Sequence, residues 1–168
     1  QVTWLPQLGL NDTLGSSDRT PRIQFFDTDT GRAGWALTPA GRLLGTRNGG
    51  KDWTTAPGPA GDLRAISFLN PDTGWVLTVR DTLVRDSDTS IVYNLKYLYA
   101  ARTTDGGATW ESGGKTPRNA HIAGPYSVHF VTPDTGWVIT GWAPFFKTTN
   151  GGATWRESFG DQNGGYKG

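Results

Sequence analysis

Thr103-Thr104-Asp105-Gly106-Gly107-Ala108-Thr109-Trp110 and Thr148-Thr149-Asn150-Gly151-Gly152-Ala153-Thr154-Trp155 repeat almost residue for residue, and Thr46-Arg47-Asn48-Gly49-Gly50-Lys51-Asp52-Trp53 is a third version. An Asx followed by two glycines is hairpin chemistry. The side-chain oxygen bonds the backbone two residues on, while the glycines take positive φ without steric cost. The Trp after each turn is expected to begin an outer strand and to drop its ring between neighbouring sheets, burying roughly 150–250 Å².

Upstream of each turn lies a second recurring pattern. Ile23-Gln24-Phe25-Phe26, Ile66-Ser67-Phe68-Leu69 and Val128-His129-Phe130-Val131 are short β-branched and aromatic runs of strand length. Each leads to a turn and a further Trp: Thr30-Gly31-Arg32-Ala33-Gly34 before Trp35, Pro71-Asp72-Thr73-Gly74 before Trp75, and Pro133-Asp134-Thr135-Gly136 before Trp137. Trp35 to Trp53 and Trp137 to Trp155 are both 18 residues, whereas Trp75 to Trp110 is 35, a 17-residue insertion. Removing the insertion leaves a period of about 40–45 residues with four short strands in each, the arithmetic of a β-propeller blade. Six of the 8 tryptophans (Trp35, Trp53, Trp75, Trp110, Trp137 and Trp155) fall in the two recurring columns and are expected to be core.

Composition narrows the function classes. The 168 residues are 35% hydrophobic with 24 glycines, enough for a packed domain. Sixteen Lys+Arg against 15 Asp+Glu leave a net charge of +1 without a basic run, which argues against a nucleic-acid partner. No apolar stretch approaches the roughly 18 residues of a membrane span. The absence of Cys removes thiolate metal sites, disulfides and cysteine nucleophiles.

The Thr-Thr-Asp/Asn-Gly-Gly-Ala-Thr-Trp units resemble the Asp-box, or bacterial neuraminidase repeat, of sialidases, sortilin-type receptors and xyloglucanases. With the preceding Phe-x-x-Pro-Asp-Thr-Gly-Trp-Val pattern, the chain most resembles propellers of the photosystem II stability/assembly factor type and related secreted bacterial repeat proteins. The resemblance covers about residues 22 to 159. It implies an all-β propeller of four-stranded antiparallel blades and an extracytoplasmic location. Asn48, Trp53, Asp105, Trp110, Asn150 and Trp155 are its structural Asp-box positions, and Asn at two of them argues against a shared metal role.

Blade 1 is expected over residues 22–57, blade 2 over 63–112 with an insertion at 79–97, and blade 3 over 125–159, with a flexible tail at 160–168. Residues 1–21 read as the outer strand of a preceding blade plus a linker, because Val2-Thr3-Trp4-Leu5-Pro6 resembles Trp53-Thr54-Thr55-Ala56-Pro57. Three blades fall short of the four to eight that close a ring. The two open faces are therefore expected to be covered by chain missing from this sequence or by a second copy.

A sialidase site fails on inventory. The only glutamates, Glu111 and Glu157, follow Asp-box tryptophans on outer strands, and Pro21-Arg22-Ile23 is a slender match to the first sialidase arginine motif. Most aspartates sit in turns. Asp27/Asp29 and Asp86/Asp88 lack the fuller oxygen set that Ca²⁺ prefers, and His121 and His129 are too few for a zinc cluster. His129, in the column of Gln24 and Ser67, is placed at the central channel. No catalytic residue, metal or cofactor is assigned.

What breaks the repeat carries the functional expectation. The insertion reads as an extended hairpin whose alternation puts Ile91, Tyr93, Leu95, Tyr97 and Tyr99 on one face, against either an adjacent blade or another protein. The loop Gly141-Trp142-Ala143-Pro144-Phe145-Phe146 adds aromatics outside the core columns. Tyr93, Tyr97, Tyr99, Trp142 and Phe145 are the candidate partner-binding residues of a non-catalytic scaffold for protein binding or assembly. The alternative is a fragment of a carbohydrate-active hydrolase, sialidase-like or xyloglucanase-like, or a carbohydrate-binding propeller.

Overall fold

A computed structural model of the chain describes residues 22–29, 31–85, 91–117, 126–140 and 145–158. Outside the described residues lie the expected outer strand at 2–6 with its linker, the hairpin turn at 86–89, His121, Trp142 and the tail at 160–168.

Among the described residues, all helical or strand structure is strand, in three antiparallel sheets of four. The first contains β1 (Arg22–Thr28), β2 (Gly31–Leu37), β3 (Leu43–Thr46) and β4 (Thr54–Thr55) in that order. The second contains β5 (Asp62–Phe68), β6 (Gly74–Arg85), β7 (Val92–Thr103) and β8 (Glu111–Lys115), and the third β9 (Ser127–Phe130), β10 (Gly136–Ile139), β11 (Phe145–Thr148) and β12 (Arg156–Ser158). Sequential neighbours joined by short turns are what the Asx-Gly-Gly and Pro-Asp-Thr-Gly punctuation dictates.

The first blade departs from the expected turn. Gly31 to Gly34 belong to β2, with Thr28 paired to Gly31 and Phe25 to Gly34. This blade lacks the Asn70-Pro71-Asp72 segment, in which the Asn70 side chain accepts N–H bonds from Asp72 and Thr73 and holds a wider turn. With no such cap, the ladder of β1 and β2 runs further.

Alternation gives each sheet a face toward the blade before and a face toward the blade after. Trp35, on the forward face of the first sheet, stacks on Phe68 of the second, with ring centroids 4.6 Å apart and planes 9° apart. Trp75 repeats this on Phe130 of the third, at 3.7 Å and 5°. Each receiving Phe is backed edge-on by the Trp that follows the Asx-Gly-Gly turn of its own blade, Trp110 behind Phe68 and Trp155 behind Phe130. Two cores result. Trp35, Leu37, Leu43, Leu63, Ile66, Phe68 and Val76 fill the space between blades 1 and 2. Trp75, Leu77, Leu98 and Ala100 meet Val128, Phe130, Val138 and Phe146 between blades 2 and 3.

Candidate functional site

The Asx-Gly-Gly turns are held from within. In the second blade the Thr103 hydroxyl donates to Asp105 Oδ1 at 2.8 Å and accepts the Gly107 N–H at 2.9 Å, while Asp105 Oδ1 also accepts the Thr109 N–H at 2.9 Å. Thr46 with Asn48, and Thr148 with Asn150, repeat the arrangement. The Asx oxygen thus reaches the backbone four residues on, not two, and the preceding Thr closes the glycine pair. The first glycine of each pair donates its N–H to the β1–β2-type turn of the same blade: Gly49 to Arg32, Gly106 to Asp72 and Gly151 to Asp134. A cavity of about 510 Å³ beside Trp35, Arg47, Asn48 and Pro57 is walled largely by these engaged turns. Among the described residues, no three of His, Asp and Glu converge. Arg22 donates to the Tyr126 carbonyl, and Arg64 is ion-paired with Asp62 at 2.6 Å.

The insertion is a ribbon. β6 and β7 pair without interruption from Gly74↔Thr103 to Arg85↔Val92. The neighbouring strands stop early, since β5 ends its pairing at Asp62↔Val79 and β8 at Tyr99↔Lys115. Beyond that point Asp81–Arg85 and Val92–Lys96 have only each other as sheet neighbours among the described residues, over about 17 Å of strand. Both outer edges of the ribbon therefore present backbone groups with no ladder partner among the described residues.

The two faces of the ribbon differ. Tyr97 is buried, with the Lys115 ammonium 4.1 Å from its ring centroid. Tyr99 is half-buried beneath Arg80, whose guanidinium lies 4.7 Å from the ring and bonds the Ala60 carbonyl and the Ser112 hydroxyl. Tyr93 lies in β7, paired with Val84. The other face carries Leu83, exposed at 74%, and exposed Val92, beside a Lys96–Asp81 ion pair of 2.8 Å. Sequence reasoning singled out the tyrosines and passed over Leu83 and Val92. Their signal was parity: Leu83 continues the alternation of Trp75, Leu77 and Val79 past the end of the core.

Phe145 sits apart from the ribbon. It is exposed on β11, paired with exposed Ile139 on β10 and on the same face as half-buried Trp137. Gln24 and Ser67 point at the next blade, accepting the backbone N–H of Phe68 and Phe130 at 2.9 Å each. His129, the third member of their column, is therefore on the outward face of the last blade, next to Trp137, rather than at the central channel.

The arrangement matches solved structures. YCF48 bound to D1 peptide aligns over 82% of this chain and 43% of that one, at 19% identity and a TM-score of 0.50. YCF48 from Cyanidioschyzon merolae aligns over 80% of this chain and 35% of that one, at 24% identity and a TM-score of 0.52. The fold is that of a β-propeller. It is similar to propellers of the photosystem II assembly-factor type, and the chain spans less than half the length of these neighbours. No family model and no curated protein matches the sequence. Within this propeller the blades account for the repeated residues, so the surface that distinguishes the chain lies where the repeat is broken.

Proposed function

We propose that this propeller is a non-catalytic scaffold that binds a protein partner by pairing an extended segment of it with the β6–β7 ribbon. One observation carries the reading: the ribbon projects beyond β5 and β8 with edges that no described strand pairs and an exposed apolar strip at Leu83 and Val92. An added strand satisfies the edge backbone groups, and alternate side chains of the guest settle on the strip. Asp81, Lys96 and exposed Arg85 flank it with charge, the usual guard against indiscriminate edge pairing, so the guest needs complementary charges. The buried Tyr97 and half-buried Tyr99 fix the ribbon to its own blade and act as the hinge support of the site. The neighbour described as bound to a D1 peptide supports peptide binding by this kind of propeller. We propose an extracytoplasmic setting for this work, on the resemblance of the repeats to those of secreted bacterial proteins.

Selection of phage-displayed linear peptides against the full chain tests this. Peptides are expected to enrich, and the enriched peptides are expected to lose at least about tenfold in affinity against Leu83→Asp and Val92→Asp variants. Failure to enrich, or equal binding to the variants, overturns it.

A further inference from the structure

Blade 1 breaks the repeat where it meets blade 2, at the end of the sheets opposite the ribbon tip. In every sheet one residue of the third strand pairs directly with the forward-facing Trp: Arg102 with Trp75, Lys147 with Trp137 and Gly45 with Trp35. In blades 2 and 3 that residue is a cation over the indole, Arg102 at 5.4 Å from the Trp75 centroid and Lys147 at 5.5 Å from that of Trp137. Trp75 is thereby flanked by Phe130 and a guanidinium. Trp35 stacks on Phe68 in the same way, but among the described residues no cation lies over it. Position 45 is aimed at the ring all the same, since a Cβ built on Gly45 stands 3.2 Å from Trp35 Cζ3 and 3.4 Å from Cη2.

The space left by the missing side chain is the cavity of about 510 Å³ between blades 1 and 2, which Trp35 and Gly45 line together with Asp52, Pro57, Gly107 and Ala108. Two further departures of blade 1 keep it open and give it charge. Between blades 2 and 3 the outer strand lies against the next turn, because Gly114 donates its N–H to the Gly152 carbonyl and a Cβ on Gly114 would collide with the Ala153 carbonyl oxygen. Pro57 holds the Gly114 position in blade 1, and its ring has neither that N–H nor room for so close an approach. Exposed Asp52 stands where the other two turns carry Thr109 and Thr154. Its Oδ2 accepts the Asn48 amide at 2.8 Å, which leaves Oδ1 able to accept from a guest. Arg47, the other charge on the wall, is neutralised by Asp72 at 2.9 Å. Where the repeat places a cation, blade 1 removes it and adds an anion beside the gap.

We propose that this cavity is a second partner site, a socket for an arginine side chain of a protein partner, whose guanidinium takes over Trp35 the place that Arg102 takes over Trp75. The planar cation lies on the indole while Asp52 accepts a charge-assisted hydrogen bond from it. Arginine suits the socket better than lysine, because a flat guanidinium stacks on a ring and still donates to a carboxylate at its edge. The volume falls within the roughly 300–1,000 Å³ of ordinary ligand sites. The socket does not depend on the ribbon, since its walls belong to the other end of the sheets.

Titration of the full chain with an acetylated, amidated Gly-Arg-Gly peptide, followed on the indole N–H resonances by NMR, reads the outcome. The Trp35 resonance is expected to shift with a dissociation constant on the order of millimolar, the scale of one cation on one ring with one carboxylate. The same peptide with citrulline, which keeps the shape and loses the charge, is expected to bind at least about tenfold more weakly. Gly45→Arg supplies the cation from within and is expected to abolish the shift while keeping the circular dichroism of the wild type. Asp52→Thr, the residue of the other two turns, is expected to weaken binding about three- to tenfold, and Leu83→Asp on the ribbon to leave it unchanged. A Trp35 resonance that does not move overturns the proposal, as does a citrulline peptide that binds equally, full affinity in Asp52→Thr, or loss of binding in Leu83→Asp. Should Gly45→Arg fail to fold, the citrulline and Asp52→Thr arms still decide.

Discussion

Asp105 holds the same turn as Asn48 and Asn150 but carries a charge. The Thr109 hydroxyl is the largest influence on its carboxyl, followed by the Thr109 N–H and the Thr103 hydroxyl, and together they hold its pKa down at about 2 against an ordinary 3.8. All three favour the ionised form. A folded-state pKa below the unfolded value means that the contribution to stability is present above about pH 4 and is lost as pH falls toward 2. Carbonyl-detected NMR titration is expected to show a midpoint near 2 for Asp105, moving up toward the ordinary value in Thr109→Val; a midpoint near 4 in the wild type contradicts the turn geometry. Glycine also has a use specific to position. A Cβ at Gly136 would stand 2.6 Å from Phe130 Cδ1, and one at Gly34 2.7 Å from Phe25 Cδ1. Phe130 is clamped between Trp75 and Trp155, so Gly136→Ala is expected to lower stability in urea by about 1–3 kcal/mol. Phe25 is 46% exposed and has an open side. Gly34→Ala is therefore expected to cost less than Gly136→Ala, and equal costs contradict an uncovered Phe25.

The strands were legible because period-two alternation, Gly-rich turns and two Trp columns all agree within each repeat. Blade 1 ran past its expected turn because Gly31, Arg32 and Ala33 have no Pro-Asx cap to stop them. The ribbon was legible as a hairpin from Val79 to Tyr97, but not which face would be bare, since that depends on where neighbouring strands end. The Gln24, Ser67 and His129 column was opaque for a different reason. Gln24 and Ser67 are unlike side chains that do one job, accepting a Phe N–H, and only geometry reveals the shared role. Burial grades along β6 and β7 make the ribbon testable by hydrogen exchange. Gly74–Val79 and Leu98–Ala101 lie almost wholly in the core, whereas residues outward of Asp81 and Lys96 are exposed on one face. The amides of 81–85 and 92–96 are expected to exchange much faster than those of 74–79 and 98–103. Slowing of the outer set on addition of a selected peptide is the element-scale signature of strand addition, and uniform exchange along both strands contradicts a projecting ribbon.

Across the whole molecule the packing is nearly one-dimensional. Among the described residues, blade 2 takes part in both cores, and blades 1 and 3 each in one. Stability in such an arrangement is a sum of blade terms and nearest-neighbour interface terms, so the two interfaces are separable. Trp35 links blade 1 to blade 2 and Trp75 links blade 2 to blade 3. Removing either indole is expected to cost about 3–5 kcal/mol. The loss should be local. Trp35→Ala is expected to abolish amide protection in β1 to β3 while β9 to β11 keep theirs, and Trp75→Ala to do the reverse. Collapse of all three blades together would mean that they fold as one unit, and the additive account of the arc would then be wrong.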